Sequence, residues 1–292
     1  MLPAHAGPGG FDHAAVASSA ARLYVAHTAN DTVEVIDTAA GRHLSSLGGL
    51  GGVAGALVSE EHGFVFTSNR GEDTVAILEP GAVGKVPVGR RPNGLAYDPG
   101  RRLLLAANVG EPPSLSFVSV DQRKEIARVP MPGRTRWAIF DPRTRCFFVN
   151  IADPPRIVFL ESERPELVAG AIEIPAPGPH GLDADLERRR LYCACDAGKL
   201  VTIDLDTGAV LGEHSLSGAP DVVFLDAALH RLYVAIGDPG VIDVFRTDTD
   251  TLIETVHTER GAHTLAFDPS THLVYSLLPS AHAAGVFEES SG

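Results

Sequence analysis

Cysteine is scarce in this 292-residue chain, with three residues in all. No two of them have the spacing of a zinc finger or a redox motif. Cys193 and Cys195 stand two apart in a strand-like run, so they share one face and read as small core residues. Lysine is almost missing, occurring only at Lys85, Lys124 and Lys199, and the net charge is −13. That balance argues against a nucleic-acid partner, which needs clustered cations to neutralise phosphates. The run Arg188-Arg189-Arg190 reads as a solvated hairpin.

Long apolar runs are also missing, so no membrane partner is expected. Residues 1–10 lack the basic start and apolar stretch of a signal peptide, and the expectation is a cytoplasmic protein. Arginine far outnumbers lysine, and Ala, Gly and Pro abound, which suggests a GC-rich bacterial genome. Nothing along the chain keeps a helical period. There is no Gly-x-x-x-x-Gly-Lys, His-Glu-x-x-His or Gly-x-Ser-x-Gly, so phosphate-loop, zincin and serine-hydrolase chemistry has no support. Residues 49–54 match Gly-x-Gly-x-x-Ala, but without the surrounding βαβ unit they read as a turn.

What the chain does have is a unit that returns seven times. Each unit holds a short apolar strand, a strand of the Leu23-Tyr24-Val25-Ala26 type and a strand of the Thr32-Val33-Glu34-Val35-Ile36-Asp37 type. The residues that open the first strands are Asp12, Ala54, Asn93, Arg136, His180, Asp221 and His263, spaced by 42, 39, 43, 44, 41 and 42 residues. A period near forty with several β-branched and aromatic strands per unit, broken by turns such as Asp98-Pro99-Gly100, marks a β-propeller. The predicted fold is all-β: one seven-bladed domain over residues 1–292, built of four-stranded antiparallel blades. The last unit ends soon after its third strand, so residues 1–6 are expected to supply its outer strand and close the ring.

The segments Asp12-His13-Ala14-Ala15-Val16, Leu23-Tyr24-Val25-Ala26-His27, Phe66-Thr67-Ser68-Asn69, Phe148-Val149-Asn150-Ile151 and Ala262-His263-Thr264-Leu265 resemble the YVTN-repeat (YncE-like) β-propeller family over essentially the whole chain. The resemblance implies the fold. It carries over no catalytic residues, because relatives of this kind include lyases, lactonases and non-catalytic binders.

The openers of the innermost strands converge on the central channel of a propeller. Read around the ring, His180, Asp221, His263 and Asp12 form one arc of two imidazoles and two carboxylates, with His27 and His13 nearby. Such donors suit a divalent ion, Zn, Mn, Fe, Ni or Cu, which would activate water or polarise a carbonyl. Arg136 and Asn93 are expected across the channel, with Trp137 beside them, as a grip for a small anionic ligand. The function expected is that of a metal-dependent lyase or hydrolase acting on a small polar molecule. The alternative is a non-catalytic scaffold binding a protein, peptide or small ligand, as an apolar channel mouth would favour. Polar strand-exit loops, such as Arg70-Gly71-Glu72-Asp73 and Ala152-Asp153-Pro154-Pro155, should surround the same mouth.

Overall fold

The computed structural model describes residues 1–79 and 81–288. They form seven antiparallel sheets, each a meander of consecutive strands, arranged as the blades of one ring. The first six blades have four strands each, and the seventh has three described strands, Leu265–Asp268, Leu273–Leu278 and Ala283–Phe287. Among the described residues the only helical turns are two short 3₁₀ pieces in blade one, Ser18–Ala20 and Thr28–Asn30. No described helix is long and apolar enough to cross a membrane.

The core lies between blades. Second-strand residues such as Leu23, Phe66, Leu105, Phe147, Leu191 and Leu232 are fully buried. Each of these removes apolar surface worth about 1.5–3 kcal/mol from water. Blade three meets blade four through Leu105 and Phe117 against Phe147 and Leu160. The outer strands, such as Thr251–His257, are mostly exposed. Cys193 and Cys195 are buried and free, with sulfurs 3.9 Å apart, as their strand spacing predicts.

The repeated Asp that closes the inner strands has a local role. Asp98, Asp141, Asp185, Asp226 and Asp268 each accept from a backbone N–H two or three residues on, which fixes the hairpin into the second strand.

The seam between blades seven and one is held by Leu2, Phe11, Ala14 and Leu23 packed with Ala266, Tyr275 and Leu277. Ser18 Oγ also donates to Asp268 Oδ1 at 2.6 Å. The N-terminal segment adds no strand there. Its Leu2 N–H donates to His282 O at 2.7 Å, but no ladder follows among the described residues. The chain then crosses to blade one, where Ala6 N donates to Asn30 Oδ1 and Asn30 Nδ2 to Ala4 O.

Five inner strands carry a bulge at the same height. The pairing slips at Val53/Gly55 and Pro179/Gly181, and between Thr135 and Ala138 and Pro220 and Val223; in blade three it slips between Pro92 and Leu95. Ala54, Asn93, Arg136, His180 and Asp221 all sit in these bulges. A bulge bends the strand and re-aims its side chain, here at the channel mouth. The next residue in three blades is Gly for a steric reason. A Cβ at Gly94 would fall on Arg136 O, and one at Gly181 would lie 2.5 Å from Asp221 O. The bulges are also pinned from the preceding blade. Asn150 Nδ2 donates to the carbonyls of His180 and Gly181 at 2.9 and 3.1 Å, and Ser68 Oγ to Asn93 O at 2.7 Å.

Candidate functional site

Two ionic networks face each other around the mouth. The first joins blades four to seven. His180 Nδ1 lies 2.7 Å from Asp196 Oδ1, and its Nε2 lies 3.2 Å from Asp221 Oδ1. Arg136 Nη2 donates to Asp196 Oδ2 at 3.1 Å, and its Nη1 lies 3.1 Å from His180 Nε2. His263 Nε2 stands 3.8 Å from Asp221 Oδ2, while its Nδ1 donates to Gly261 O at 2.8 Å. That last bond leaves the lone pair of a neutral His263 on Nε2, on the side of Asp221.

The second network joins blades one to three. Asp12 Oδ2 pairs with Arg70 Nη1 at 2.9 Å, and Arg70 Nη2 donates to Asn93 Oδ1. His13 lies against Asp12 and packs its ring on Trp137, 4.4 Å between centroids. Among the described residues, Nε of Arg70 and Nε of Arg136 have no protein acceptor.

Charge in the mouth is polarised. Burial pulls the His180 imidazole down, but hydrogen bonds to Asp196 and Asp221 outweigh it and raise the ring to about 9. Burial opposes ionisation of Asp221 as well, yet the hydrogen bond and charge of His180 hold it well below the ordinary carboxylate range. Asp196 is lowered in the same way by His180 and Arg136. His13 goes the other way: burial lowers it, although Asp12 and Asp221 oppose the shift. At neutral pH the mouth thus holds a His180 imidazolium between two carboxylates and a neutral His13 on the opposite side.

The expected arc is therefore only partly assembled. His180, Asp221 and His263 are together, whereas Asp12 is engaged by Arg70. Arg136 is beside His180 instead of across from it. Among the described residues no group of three or more His, Cys, Asp or Glu side chains is arranged to hold a metal ion. Both nitrogens of His180 are already engaged.

His27 belongs elsewhere. It is fully buried inside blade one, with Nδ1 donating to Glu34 Oε1 at 3.0 Å and Nε2 2.8 Å from His5 Nδ1. The reason is strand parity: His27 ends its second strand and points into the blade, as do the equivalent Asn69, Asn108 and Cys195, all fully buried. The residue one step further points into the channel, and that is where Arg70 and Asp196 come from. Arg70 was expected only within a loop around the mouth, and Asp196 was missed; the signal for both was their position directly after the second strand.

No protein-family model matches this chain, and no curated protein matches it in sequence. Its likeness to solved structures is extensive. Kuenenia stuttgartiensis hydrazine synthase superposes with a TM-score of 0.84, over 100% of this chain and 99% of that one, at 13% identity. The chain is a seven-bladed β-propeller. A chain from the crystal structure of a mitotic checkpoint complex superposes with a TM-score of 0.81, over 99% of this chain and 91% of that one, at 11% identity. At such identities the shared property is the propeller itself.

Proposed function

We propose that this YVTN-like propeller binds a small anionic molecule at the channel mouth and acts on it as a lyase or hydrolase. The observation that carries the reading is the His180 imidazolium and the Arg136 guanidinium held side by side on the two oxygens of Asp196, in a chain of net charge −13. Arg136 and Arg70 bring two guanidinium groups to the mouth, in the planar geometry that suits carboxylate or phosphate oxygens. His180 stabilises negative charge that develops on the ligand, and the lone pair on Nε2 suits His263 to take up a proton. Asn93, held by Arg70, orients the ligand from the opposite wall.

A divalent ion is the second reading, favoured by one spacing. His263 Nε2 and Asp221 Oδ2, 3.8 Å apart, are a nitrogen and a carboxylate oxygen that one ion can share, with water and ligand completing its coordination. The test is thermal shift and calorimetry with inorganic phosphate, malonate and citrate, before and after chelation, beside elemental mass spectrometry of wild type and His263→Ala. Saturable anion binding lost in Arg136→Ala supports the first reading. Near-stoichiometric metal absent from His263→Ala supports the second. No binding of any of these anions and no metal uptake would sink both and favour the non-catalytic scaffold.

A further inference from the structure

Below the polar mouth the channel changes character. A cavity of about 460 Å³ runs along the inner strands of all seven blades, within the range of roughly 300–1,000 Å³ typical of small-molecule sites. Its wall includes Glu60, Glu61 and Pro99, which lie at the far end of the inner strands, so the cavity belongs to the face opposite the mouth. Trp137, Tyr97, Phe140, Phe224 and Phe267 line it. His13 and Trp137, packed together, form the layer shared with the mouth.

One residue breaks the apolar wall. Strand registers place Asp183 opposite Tyr192, and the same position in the other blades holds Ala15, Leu57, Ala96, Ile139, Phe224 and Ala266. Six blades thus put an apolar side chain where blade five puts a carboxylate. Asp183 Oδ2 accepts from Leu225 N at 2.7 Å and Oδ1 from Ala184 N at 2.8 Å. Burial raises it to about 6 against those two bonds, with no basic side chain contributing. A carboxylate that the fold encloses without a cation costs stability, and six of the seven blades do without one at this position.

We infer that the lower channel binds a hydrophobic amine, a protonated amino group on an aromatic or aliphatic body, with its charge against Asp183 and its body among the aromatic rings. Charge complementarity decides the class. Asp183 lacks a cation, Glu60 and Glu61 make the entrance acidic, and the aromatic faces attract an organic cation as well as its apolar frame. An anion would meet three carboxylates here and is excluded. The site stands apart from the reading of the mouth, since none of the residues that grip the anion there line this cavity.

The test uses the fluorescence of Trp137, the only tryptophan in the chain. Wild-type protein is titrated with 4-phenylbutylamine and with its neutral counterpart 4-phenylbutanol at pH 7.5 and pH 5. Expected is a saturable change, with the amine binding at least ten-fold tighter than the alcohol at pH 7.5 and the gap shrinking at pH 5 as Asp183 takes up a proton. The other titratable groups on the wall are His13, Tyr97, Glu60 and Glu61; burial lowers His13 against the pull of Asp12 and Asp221, and His13→Gln, carried through the same titrations, should keep the pH dependence if Asp183 is its source. Asp183→Asn should remove the preference for the amine and keep the alcohol, and Ala56→Phe should block both. Arg136→Ala should leave the amine affinity unchanged, which separates this site from the mouth. Equal binding of amine and alcohol to wild type at pH 7.5, or no saturable signal, overturns the proposal even if Asp183→Asn fails to fold.

Discussion

The imidazole of His180 stands 2.7 Å from the carboxylate of Asp196, sixteen residues later in the same blade. One residue opens the inner strand in a bulge and the other leaves the second strand, so the propeller brings both to the channel mouth whatever the intervening hairpin does. With Asp221 on the other ring nitrogen, His180 is held as a cation well above its ordinary range. Three consequences can be measured directly, and a fourth arises at the seam.

The first is a stability profile on the alkaline side. A histidine raised from 6.5 in the unfolded chain to about 9 in the folded one stabilises the fold fully below pH 6.5. That contribution is lost as pH rises through about 9. The melting temperature of wild type should therefore fall between pH 6.5 and 9 more steeply than that of His180→Gln. Parallel profiles would show that His180 is not held as a cation.

Asp196 acts through His180 and is a positioning residue. In Asp196→Asn the ring keeps Asp221 but loses its strongest hydrogen bond, so its titration, followed by NMR, should move down toward 6.5, and the melting temperature at neutral pH should fall with it because the raised ring no longer stabilises the fold there. Phosphate or malonate affinity should fall by a few-fold, with most of the loss appearing above pH 7, where the variant ring has shed its proton. An unchanged titration would assign the shift to Asp221 alone.

The bulge can be tested at a residue that touches no ligand. A Cβ on Gly181 would collide with Asp221 O and with the Val223 side chain, so blades five and six must separate or the bulge must reset. Gly181→Ala should cost about 1–3 kcal/mol in urea unfolding, as overpacking does. It should also lower the His180 titration, because the carbonyl it displaces belongs to Asp221. A stable variant with an unmoved His180 would mean that the glycine is incidental.

These cases show what the sequence discloses. The strands and their period were legible because every unit spends its β-branched and aromatic residues on the same two strands, and the ring openers followed from aligning the units. Arg70 was legible only as part of a loop at the mouth and Asp196 not at all, both being ordinary loop charges until strand parity sends the residue after Asn69 or Cys195 into the channel. His27 was misassigned by that single step. Asp183 was hidden because one carboxylate within a strand means little; only the comparison with Ala15, Leu57, Ala96, Ile139, Phe224 and Ala266 gives it meaning. The N-terminal segment was expected as a strand of blade seven, but after one bond from Leu2 it turns to blade one, where Asn30 binds the backbone of Ala4 and Ala6.

That segment gives the last prediction. His5 bridges the seam, with Nδ1 2.8 Å from His27 Nε2 in blade one and Nε2 donating to Pro279 O in blade seven at 3.0 Å. Behind His27, the fully buried Glu34 accepts from Thr32 and Ser46 and pairs with His43 at 2.8 Å. Burial works against its charge, but His27, Ser46, Thr32 and His43 lower it to about 2. A carboxylate depressed from 4.5 to about 2 stabilises the fold above pH 4.5, and the contribution is lost as pH falls through about 2. Glu34→Gln replaces an acceptor oxygen with an N–H that faces donors, and should cost about 2–4 kcal/mol at neutral pH. The loss should disappear in acid, so that wild type and variant unfold alike near pH 2. Deleting residues 1–6 removes His5 and Leu2 but leaves Glu34 satisfied; it should lower the melting temperature at every pH without changing the acid profile. If the deletion abolished the acid dependence instead, the carboxylate would owe its ionisation to the seam and not to blade one.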